Sequence, residues 1–253
     1  MKTKLIYEPS GKALEYENLA LNLYRGCPHQ CAYCYVPAIS RQTREQFFAQ
    51  EVVLRKPIDE IFRLLEKDCQ ILTETALLDG DVKQLRVLMS FTTDPYGEQE
   101  RELGVTRRAI ELLNSYGIAV NILTKNGTLA RRDLDVMSKF DGNMFGVTVS
   151  CGNKLATEWE PRAENPVMRL VALKDAFDMG IRTWVSLEPV IEPNWVLAMI
   201  PGLANFVDVF KVGKLNHHPF ANTIDWHQFK IDVEKALVAT GKEYYIKQDL
   251  LRA

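Results

Sequence analysis

The sequence predicts an α/β fold, a partial (β/α)6 TIM-like barrel of parallel strands in a single domain. Short apolar segments alternate with helical patterns about six times along the 253 residues, and this alternation is typical of parallel strands with right-handed crossovers. The composition, 47% hydrophobic and 25% charged, is that of a globular chain with a large core. Polar residues follow each predicted strand directly, and barrel folds keep their chemistry at that end.

The predicted chain comprises an N-terminal extension over 1–19, a barrel core over 20–212, and a C-terminal helix with a closing segment over 213–253. Each predicted strand is a short apolar run bounded by polar or turn residues. The six strands are Leu19–Leu23, Leu85–Phe91, Ile118–Leu123, Met144–Ser150, Ile181–Leu187 and Phe206–Val212, and Gly241–Ile246 is a candidate closing strand.

Apolar residues at helical spacing predict the crossovers between these strands. Pro57 suits the first position of a helix, and Gly180 suits a C-terminal cap. Helices are expected from Pro57 onwards, over about 100–116, around Leu134 and Met137, over 165–179, near 193–200, and on Trp226, Phe229, Val233 and Leu237. The polar and basic stretch 38–56 is interpreted as helix and loop.

Charge and hydropathy restrict the classes of function. A net charge of −2 predicts no strong global field, so a nucleic-acid surface would have to be a local patch. No segment has the length of a membrane span, and Met1–Lys4 lack the apolar run of a signal peptide. We therefore expect a cytoplasmic protein with reduced cysteines and no membrane partner.

Three of the five cysteines, Cys27, Cys31 and Cys34, form the pattern C-x3-C-x2-C. Three thiolates on one tight loop can hold three irons of a 4Fe–4S cluster and leave the fourth iron open. A zinc site is the alternative, but it would normally need a fourth ligand at standard spacing, and His29 lies inside the loop. Cys69 and Cys151 cannot form a second cluster by themselves, and Cys69 is expected to pack in the core.

The cysteine loop, with the aromatic Tyr33, resembles the signature of the radical S-adenosylmethionine (SAM) superfamily. Further segments in order, over about 21–191, resemble its spore photoproduct lyase-like, or DNA repair photolyase-like, branch. These segments are Thr93-Asp94-Pro95, Thr124-Lys125, Arg132-Asp133-Leu134-Asp135, Glu160-Pro161-Arg162 with Arg169-Leu170, and Pro189-Val190-Ile191. The resemblance implies a partial barrel, a cluster whose open iron chelates SAM, and reductive cleavage of SAM to methionine and a 5′-deoxyadenosyl radical. It also implies a one-electron reductant of flavodoxin or ferredoxin type.

The resemblance also implies roles for single residues. Cys27, Cys31 and Cys34 would bind the cluster, and Lys125 would approach the SAM carboxylate. The remaining SAM-binding candidates are Tyr33, Thr93, Asp94, Ser150, Glu160, Arg162 and Glu188. Several of these have a structural alternative: Asp94 could start a turn, Glu160 could pair with Arg169, and Glu188 could pair with Lys211 or Lys214.

One departure separates this sequence from the lyases. Phe91 stands where the lyases carry a hydrogen-donating cysteine, and a phenyl ring cannot donate that hydrogen. Tyr33 and Tyr35 match tyrosines proposed to relay hydrogen, and Cys151 is a further catalytic candidate, with inert packing as its alternative. The departure argues against thymine-dimer reversal and leaves the substrate open.

Three functional hypotheses follow. The first is a radical SAM enzyme acting on nucleic acid or a nucleotide-like molecule, and the second is a radical SAM enzyme acting on a peptide or small metabolite. The third is a non-catalytic iron–sulfur or zinc protein. The loop Gly213–Pro219 and the tail Tyr245–Lys247 are expected to complete a substrate pocket, and His217-His218 is expected to have a solvent or capping role.

Overall fold

The computed structural model describes residues 4–78 and 85–253, so the expectation for Met1–Thr3 lies outside the described residues. Eight strands form one sheet, and β3 and β4 form a separate antiparallel pair. The strands are β1 (Ile6–Tyr7), β2 (Leu19–Leu21), β3 (Tyr24–Arg25), β4 (Val53–Leu54), β5 (Arg86–Met89), β6 (Ala119–Thr124), β7 (Met144–Thr148), β8 (Arg182–Val190), β9 (Val209–Lys214) and β10 (Glu243–Ile246).

Helices connect most of these strands. The α-helices are α1 (Val36–Ile39), α2 (Arg44–Ala49), α3 (Ile58–Leu78), α4 (Glu100–Leu103), α5 (Val105–Ser115), α6 (Gly127–Ala130), α7 (Leu134–Met137), α8 (Asn153–Trp159), α9 (Pro166–Asp178), α10 (Pro193–Leu203), α11 (Trp226–Thr240) and α12 (Gln248–Leu251). Short 3-10 helices lie at Gly11–Glu15, Arg131–Asp133 and Pro219–Thr223.

The large sheet follows the order β1-β2-β5-β6-β7-β8-β9-β10. All neighbours from β2 to β10 are parallel, and β1 pairs antiparallel with β2. The predicted α/β fold with its parallel strands is therefore confirmed, and the candidate closing strand is present as β10. The described strands do not close into a ring, because β1 and β10 are the two edges of the sheet.

The sheet is buried on both faces, as expected for parallel strands covered by helices. Every residue of β7 is buried, as are five of the six residues of β6. On the inner face Trp184 packs with Leu88 and Met144, and a Cβ atom on Gly146 would lie 2.2 Å from the Trp184 ring. Only glycine fits at this position because the indole fills the space beside it on the inner face of the sheet. We call this open eight-stranded sheet the half-barrel.

Local structure departs from the sequence prediction in three places. The helix expected over about 100–116 is divided at Gly104, which adopts a left-handed conformation with φ of 58°. The stretch 38–56 contains α1 and α2, but it also contains β4, which pairs with β3. Helix α8 was not predicted, because its seven residues are too few to show a clear helical period.

The N-terminal strap, defined here as residues 10–17, connects the β1 side of the sheet to the C-terminal segment. Glu15 accepts hydrogen bonds from the Tyr245 hydroxyl at 3.0 Å and from the Gln248 amide at 2.9 Å. Lys12 forms an ion pair with Asp249 at 2.7 Å. The strap therefore contacts the elements beside the β10 edge. In the described part of the chain, no helix has the length and apolarity needed to cross a membrane.

Candidate active site

The predicted functional residues gather at the C-terminal ends of the parallel strands. The cysteine loop follows β2 and the short strand β3, and contacts with Thr93, Asp94 and Arg44 fix its position. The Thr93 hydroxyl donates to the carbonyl of Gly26 at 2.6 Å, and His29 Nε2 lies 2.9 Å from Asp94 Oδ2. Arg44 donates to the carbonyls of Cys31 at 2.7 Å and of Cys34 at 3.3 Å. The loop backbone is thus held by Thr93 and Asp94 after β5 and by Arg44 of α2.

Asp94 is the centre of the loop's attachment to the sheet. Its carboxylate accepts hydrogen bonds from the Thr124 hydroxyl at 2.7 Å, the Lys125 amide at 2.7 Å and the Tyr96 amide at 2.9 Å, in addition to the His29 contact. Burial alone would raise the pKa of Asp94, but His29 and these donors lower it to about 2. Asp94 is therefore an anion that joins the ends of β5 and β6 to the cysteine loop.

Thr93 and Asp94 are two of the residues predicted to bind SAM. Both side chains are buried, and their polar atoms are bonded to the protein itself. The predicted contact remains a prediction. It would require SAM to share or replace one of these hydrogen bonds.

The three loop cysteines are free thiols. Cys31 is buried, while Cys27 and Cys34 are half-buried. Burial raises the pKa of all three thiols, that of Cys31 to about 11, so each would be protonated at neutral pH without a bound cation. Among the described residues, no three His, Cys, Asp or Glu side chains are grouped to hold one metal ion.

This donor set fits an iron–sulfur cluster. Thiolates of a 4Fe–4S cluster bind separate irons, so the thiols need not converge on one point. Thiols with raised pKa values lose their protons when they ligate a metal, which makes cluster binding depend on pH. The neighbouring ammonium of Lys125 supplies positive charge that would favour the thiolate form of Cys31 and Cys34.

Glu160 and Arg169 form a fully buried ion pair beside the loop, with Nη2 and Oε2 2.6 Å apart. Arg169 also donates to the carbonyls of Thr148 at 2.9 Å and Glu164 at 2.7 Å. Burial opposes ionisation of Glu160, but Arg169 and Lys125 keep its pKa below the usual value. The predicted pairing of Glu160 with Arg169 is present in the structure.

Tyr33 and Ser150 extend this ion pair towards the cysteines. The Tyr33 hydroxyl donates to Glu160 and lies 3.3 Å from the Ser150 hydroxyl, which is itself 3.4 Å from Glu160. Burial and the Glu160 charge raise the pKa of Tyr33 well above its usual value. Tyr33 is therefore a neutral hydrogen-bond donor that positions the loop against Glu160.

Lys125 is the cation of the site whose charge the protein leaves available. Its Nζ lies 5.6 Å from the centre of the Tyr33 ring, and within residues 4–78 and 85–253 no carboxylate lies within ion-pair distance of it. Burial would lower the pKa of Lys125, but Cys31 and Glu160 raise it above its usual value. A half-buried ammonium with this surrounding suits the carboxylate of a ligand.

Three further predicted site residues are Tyr35, Cys151 and Arg162. The Tyr35 hydroxyl donates to the Phe91 carbonyl at 3.1 Å. Cys151 is fully buried against Trp159, and burial raises the pKa of its thiol to about 12. The side chain of Arg162 is exposed, although its backbone bonds to that of His29.

Glu188 belongs to a second group of charges, on the side of the half-barrel that the strap covers. It pairs with Lys247 at 3.0 Å and accepts a hydrogen bond from Tyr16, so the alternative pairing with Lys211 or Lys214 is not the one formed, and its contact with SAM remains a prediction. The pairing of β8 with β9 shifts register between Leu187 and Val190, where Glu188 lies. Such irregularities are common next to active sites, where they change the direction of a side chain. A Cβ atom on Gly213 would lie 2.7 Å from the Glu188 carboxyl carbon, so glycine provides the space.

Lys211 completes this second group. Its Nζ donates to the carbonyls of Tyr16 at 2.8 Å and Glu15 at 3.3 Å. Burial, assisted by the nearby Lys247, lowers the pKa of Lys211 to about 8. We call Tyr16, Glu188, Lys211 and Lys247 the strap-side network, and His29, Asp94, Lys125, Glu160 and Arg169 the cluster-side network.

The loop that follows β9 lies beside Trp159 and lines an open cavity of about 590 Å³ with Trp226. The ring of His218 is 4.7 Å from that of Trp159, and its Nδ1 accepts a hydrogen bond from the Phe220 amide at 3.2 Å. His218 therefore caps the 3-10 helix Pro219–Thr223, as predicted. Cys69 is buried in the main core, also as predicted.

Sequence reasoning missed the roles of His29 and Tyr16. The sequence suggests His29 only as a zinc ligand, although a histidine within the cysteine loop and an aspartate after the next strand are a usable signal for this contact. Tyr16 gives no signal, because its partner Glu188 lies 172 residues away. Lys247 is predicted only as part of the C-terminal tail.

Comparisons with known proteins identify the family and the fold of the chain. The sequence profile described as the radical SAM superfamily matches residues 21–207. An uncharacterised protein of the Acidianus two-tailed virus is 29% identical over 250 residues, which cover 92% of this chain and 80% of the relative. An uncharacterised protein of Methanocaldococcus jannaschii is 25% identical over 68% of this chain and 60% of the relative.

Solved structures share the fold at low sequence identity. A spore photoproduct lyase complexed with dinucleoside spore photoproduct has a TM-score of 0.66 and 14% identity, over 91% of this chain and 77% of that one. SuiB of Streptococcus suis, bound to S-adenosylmethionine, has a TM-score of 0.63 and 12% identity, over 90% and 49% of the two chains.

Proposed function

The chain belongs to the radical SAM superfamily, and we propose that it is an enzyme that uses one 4Fe–4S cluster to cleave S-adenosylmethionine. The observation that carries this proposal is the cysteine loop clamped by Asp94 and His29 beside the available ammonium of Lys125. A loop that only stored metal would not need a half-buried ammonium next to it.

The cluster and SAM would be held by the residues at the strand ends. Cys27, Cys31 and Cys34 would ligate three irons, and Lys125 would bind the SAM carboxylate. When bound and reduced, the cluster supplies one electron to the sulfonium, which yields methionine and a 5′-deoxyadenosyl radical that abstracts hydrogen from a substrate.

The protein's own residues orient and protect this chemistry. Glu160 and Arg169 fix the position of Tyr33, and Asp94 fixes the loop with respect to β5 and β6. The tightly packed interior beneath the site, filled by Trp184, excludes water from one side. We place the enzyme in the cytoplasm, because ligand thiols persist in a reducing compartment.

We propose nucleic acid or a nucleotide-like molecule as the substrate. The support is the shared fold with a spore photoproduct lyase whose structure contains a dinucleoside product. Phe91 occupies the position where the lyases carry the hydrogen-donating cysteine, and a phenyl ring cannot donate that hydrogen. The reaction proposed here is therefore hydrogen abstraction without thymine-dimer reversal.

A peptide or small metabolite is the second candidate, and the strap favours it. The strap places Tyr16 in the half-barrel interior, with its ring 5.9 Å from those of Phe91 and Trp184. These rings fill part of the half-barrel interior, and the reduced space suits a small substrate.

Anaerobic turnover tests the proposal. Wild type and a Cys31→Ala variant are reconstituted with iron and sulfide, reduced with dithionite and given SAM. We expect 5′-deoxyadenosine from the wild type alone. Zinc binding by the wild type, or a cluster that never cleaves SAM, would contradict the proposal and favour a non-catalytic iron–sulfur or zinc protein.

The two substrate classes are separated by binding. A nucleic-acid substrate would bind as an oligonucleotide with an affinity that falls as salt rises, because phosphate contacts release counterions. An affinity for oligonucleotides that is weak at every salt concentration would exclude that class.

A further inference from the structure

We propose that the strap acts as an internal ligand, and that the space filled by Tyr16 binds a small substrate with a planar ring and an anionic group when the strap withdraws. The inference rests on the proposed function, because it assigns the substrate site of that enzyme. We call this space the Tyr16 pocket. Its walls are Phe91, Trp184, Glu188, Lys211 and Lys247.

The first support is that the pocket binds both ends of Tyr16. At one end, the phenol donates a hydrogen bond to Glu188 and lies 3.1 Å from the Ser186 hydroxyl. At the other end, the backbone carbonyl of Tyr16 accepts a hydrogen bond from Lys211 at 2.8 Å. The pocket therefore suits a ring that carries a hydrogen-bond donor on one side and an acceptor on the other.

The second support is the surroundings of the ring itself. The Tyr16 ring lies 5.9 Å from the rings of Phe91 and Trp184, and the Lys247 Nζ lies 4.2 Å from its centre. Aromatic neighbours and a nearby cation stabilise any electron-rich planar ring, not only a phenol. A nucleobase or an aryl ring of a ligand would keep the same contacts.

The third support is that Lys211 has no anionic partner. Its Nζ donates to the carbonyls of Tyr16 and Glu15, and no carboxylate of residues 4–78 and 85–253 lies within ion-pair distance of it. Burial, assisted by Lys247, lowers the pKa of Lys211 to about 8, so neutral carbonyls stabilise this ammonium poorly. An anion in their place would form a stronger, charge-assisted hydrogen bond. Lys211 thus selects a ligand with a phosphate or carboxylate group.

The strap is attached in a way that permits it to leave. The 3-10 helix Gly11–Glu15 contains no buried residue, and Leu14 is 48% exposed. The contacts of the strap with the segment around β10 are hydrogen bonds and an ion pair. Segments with few buried apolar contacts open at a low cost in free energy. The strap can therefore withdraw while the sheet stays folded.

The pocket lies next to the cysteine loop. The carbonyl of Phe91 accepts a hydrogen bond from the Tyr35 hydroxyl at 3.1 Å, and Tyr35 follows Cys34 directly. A ring that replaced Tyr16 would contact Phe91 and would thus lie on the inner side of the mouth. This is the position that a substrate needs if a radical generated beside the cysteines is to reach it.

The test compares two lysines that both donate to backbone carbonyls. The pocket variants are Lys211→Met and Lys211→Arg, and the control is Lys230→Met on α11, where Lys230 donates to the carbonyls of Leu251 and Ala253. Calorimetry on the unreduced, reconstituted proteins, with SAM present to occupy its own site, measures the binding of three probes. Uridine 5′-monophosphate tests phosphate, 4-hydroxyphenylacetate tests carboxylate, and uridine carries neither group.

We expect the wild type, Lys211→Arg and Lys230→Met to bind at least one anionic probe, and to bind it more tightly than uridine. Lys211→Met should bind that probe about tenfold more weakly, since it lacks the charge-assisted hydrogen bond, with unchanged affinity for uridine. The anionic probe that binds identifies the anionic group of the substrate. In the wild type the same probe should accelerate hydrogen exchange at the Gln248 amide, because this amide donates to Glu15 of the strap.

Equal affinity of the wild type and Lys211→Met for both anionic probes would overturn the inference, as would a lack of binding by the wild type. An anionic probe that binds but leaves exchange at the Gln248 amide unchanged or slower would overturn the role of the strap as an internal ligand. Failure of the wild type to form 5′-deoxyadenosine with dithionite would instead contradict the proposed function, because the binding measurements require no SAM cleavage.

Discussion

The cluster-side and strap-side networks lie in the same half-barrel but differ in how their charges are balanced. On the cluster side, Asp94 and Glu160 face Lys125, Arg169 and His29, and Asp94 also accepts two backbone amides. On the strap side, Glu188 pairs with Lys247 and accepts a hydrogen bond from Tyr16, while Lys211 donates to the backbone carbonyls of Glu15 and Tyr16.

This difference has a consequence for each network. The carboxylates of the cluster side keep lowered pKa values and act as fixed anions that hold the loop. On the strap side, burial and the second lysine lower the pKa of Lys211 instead. The comparison indicates that one network is a rigid support for ligands, while the other couples the N-terminal strap to the barrel interior.

The largest loss of stability is expected when the buried Glu160–Arg169 ion pair is broken. Arg169→Met leaves Glu160 charged and buried without its main partner, so we expect the free energy of unfolding to fall by about 3–5 kcal/mol. Urea titration measures this loss. The double variant Glu160→Gln/Arg169→Met should recover part of it, and a double variant less stable than Arg169→Met would contradict this interpretation.

A smaller loss is expected on the strap side. Lys247→Met removes the cation from Glu188, and since Glu188 retains Tyr16 and some solvent, we expect a loss of about 1–3 kcal/mol. The matched control is Lys247→Met/Glu188→Gln, which should be more stable than the single variant. Equal losses for Lys247→Met and Arg169→Met would show that the two networks do not differ in burial.

Tyr16→Phe should have a still smaller effect. It removes the hydroxyl that contacts Glu188 and Ser186 but keeps the ring between Phe91 and Trp184, so about 1 kcal/mol is expected. Hydrogen exchange at the Gln248 amide, which donates to Glu15 of the strap, reports whether the strap loosens. Unchanged exchange together with unchanged stability would show that the Tyr16 hydroxyl does not hold the strap.

A separate effect, measured as the slope of stability against pH, is expected from Lys211. Its pKa is about 8 in the folded protein, below the ordinary lysine value of 10.5 that applies to the unfolded chain, so the unfolded chain binds more protons between these values. Stability should therefore rise as pH increases from about 8 to 10.5. Lys211→Met should flatten this part of the curve relative to the wild type, and a stability that rises equally in both proteins would assign the effect to other groups.

Sequence patterns located the cluster side well. The cysteine loop and Lys125 follow strands directly, and the Glu160–Arg169 pair lies within ten residues, so local order places them. The hydrogen bonds that the Asp94 carboxylate forms with His29, Thr124 and backbone amides could not be predicted, because they depend on how neighbouring strand ends pack. Hydrogen-bond donors from the backbone leave no trace in residue type.

The strap side was much less accessible to sequence reasoning. Glu188 was recognised as a charge at the mouth, but its partners come from opposite ends of the chain, and only the order of strands in the sheet brings Tyr16 and Lys247 together. The short strand β1 and the register shift in β8 have no periodic pattern that a sequence analysis could detect.

The most direct test of the central claim is the state of the metal in the reconstituted wild type, with and without SAM. We predict about four irons and four sulfides per chain and, after reduction, an electron paramagnetic resonance spectrum that changes when SAM is added. In Lys125→Met the iron content should be the same, and more SAM should be needed for the change. Bound zinc without sulfide, or a spectrum that SAM does not alter, would contradict the claim that these three cysteines hold a cluster with an open iron.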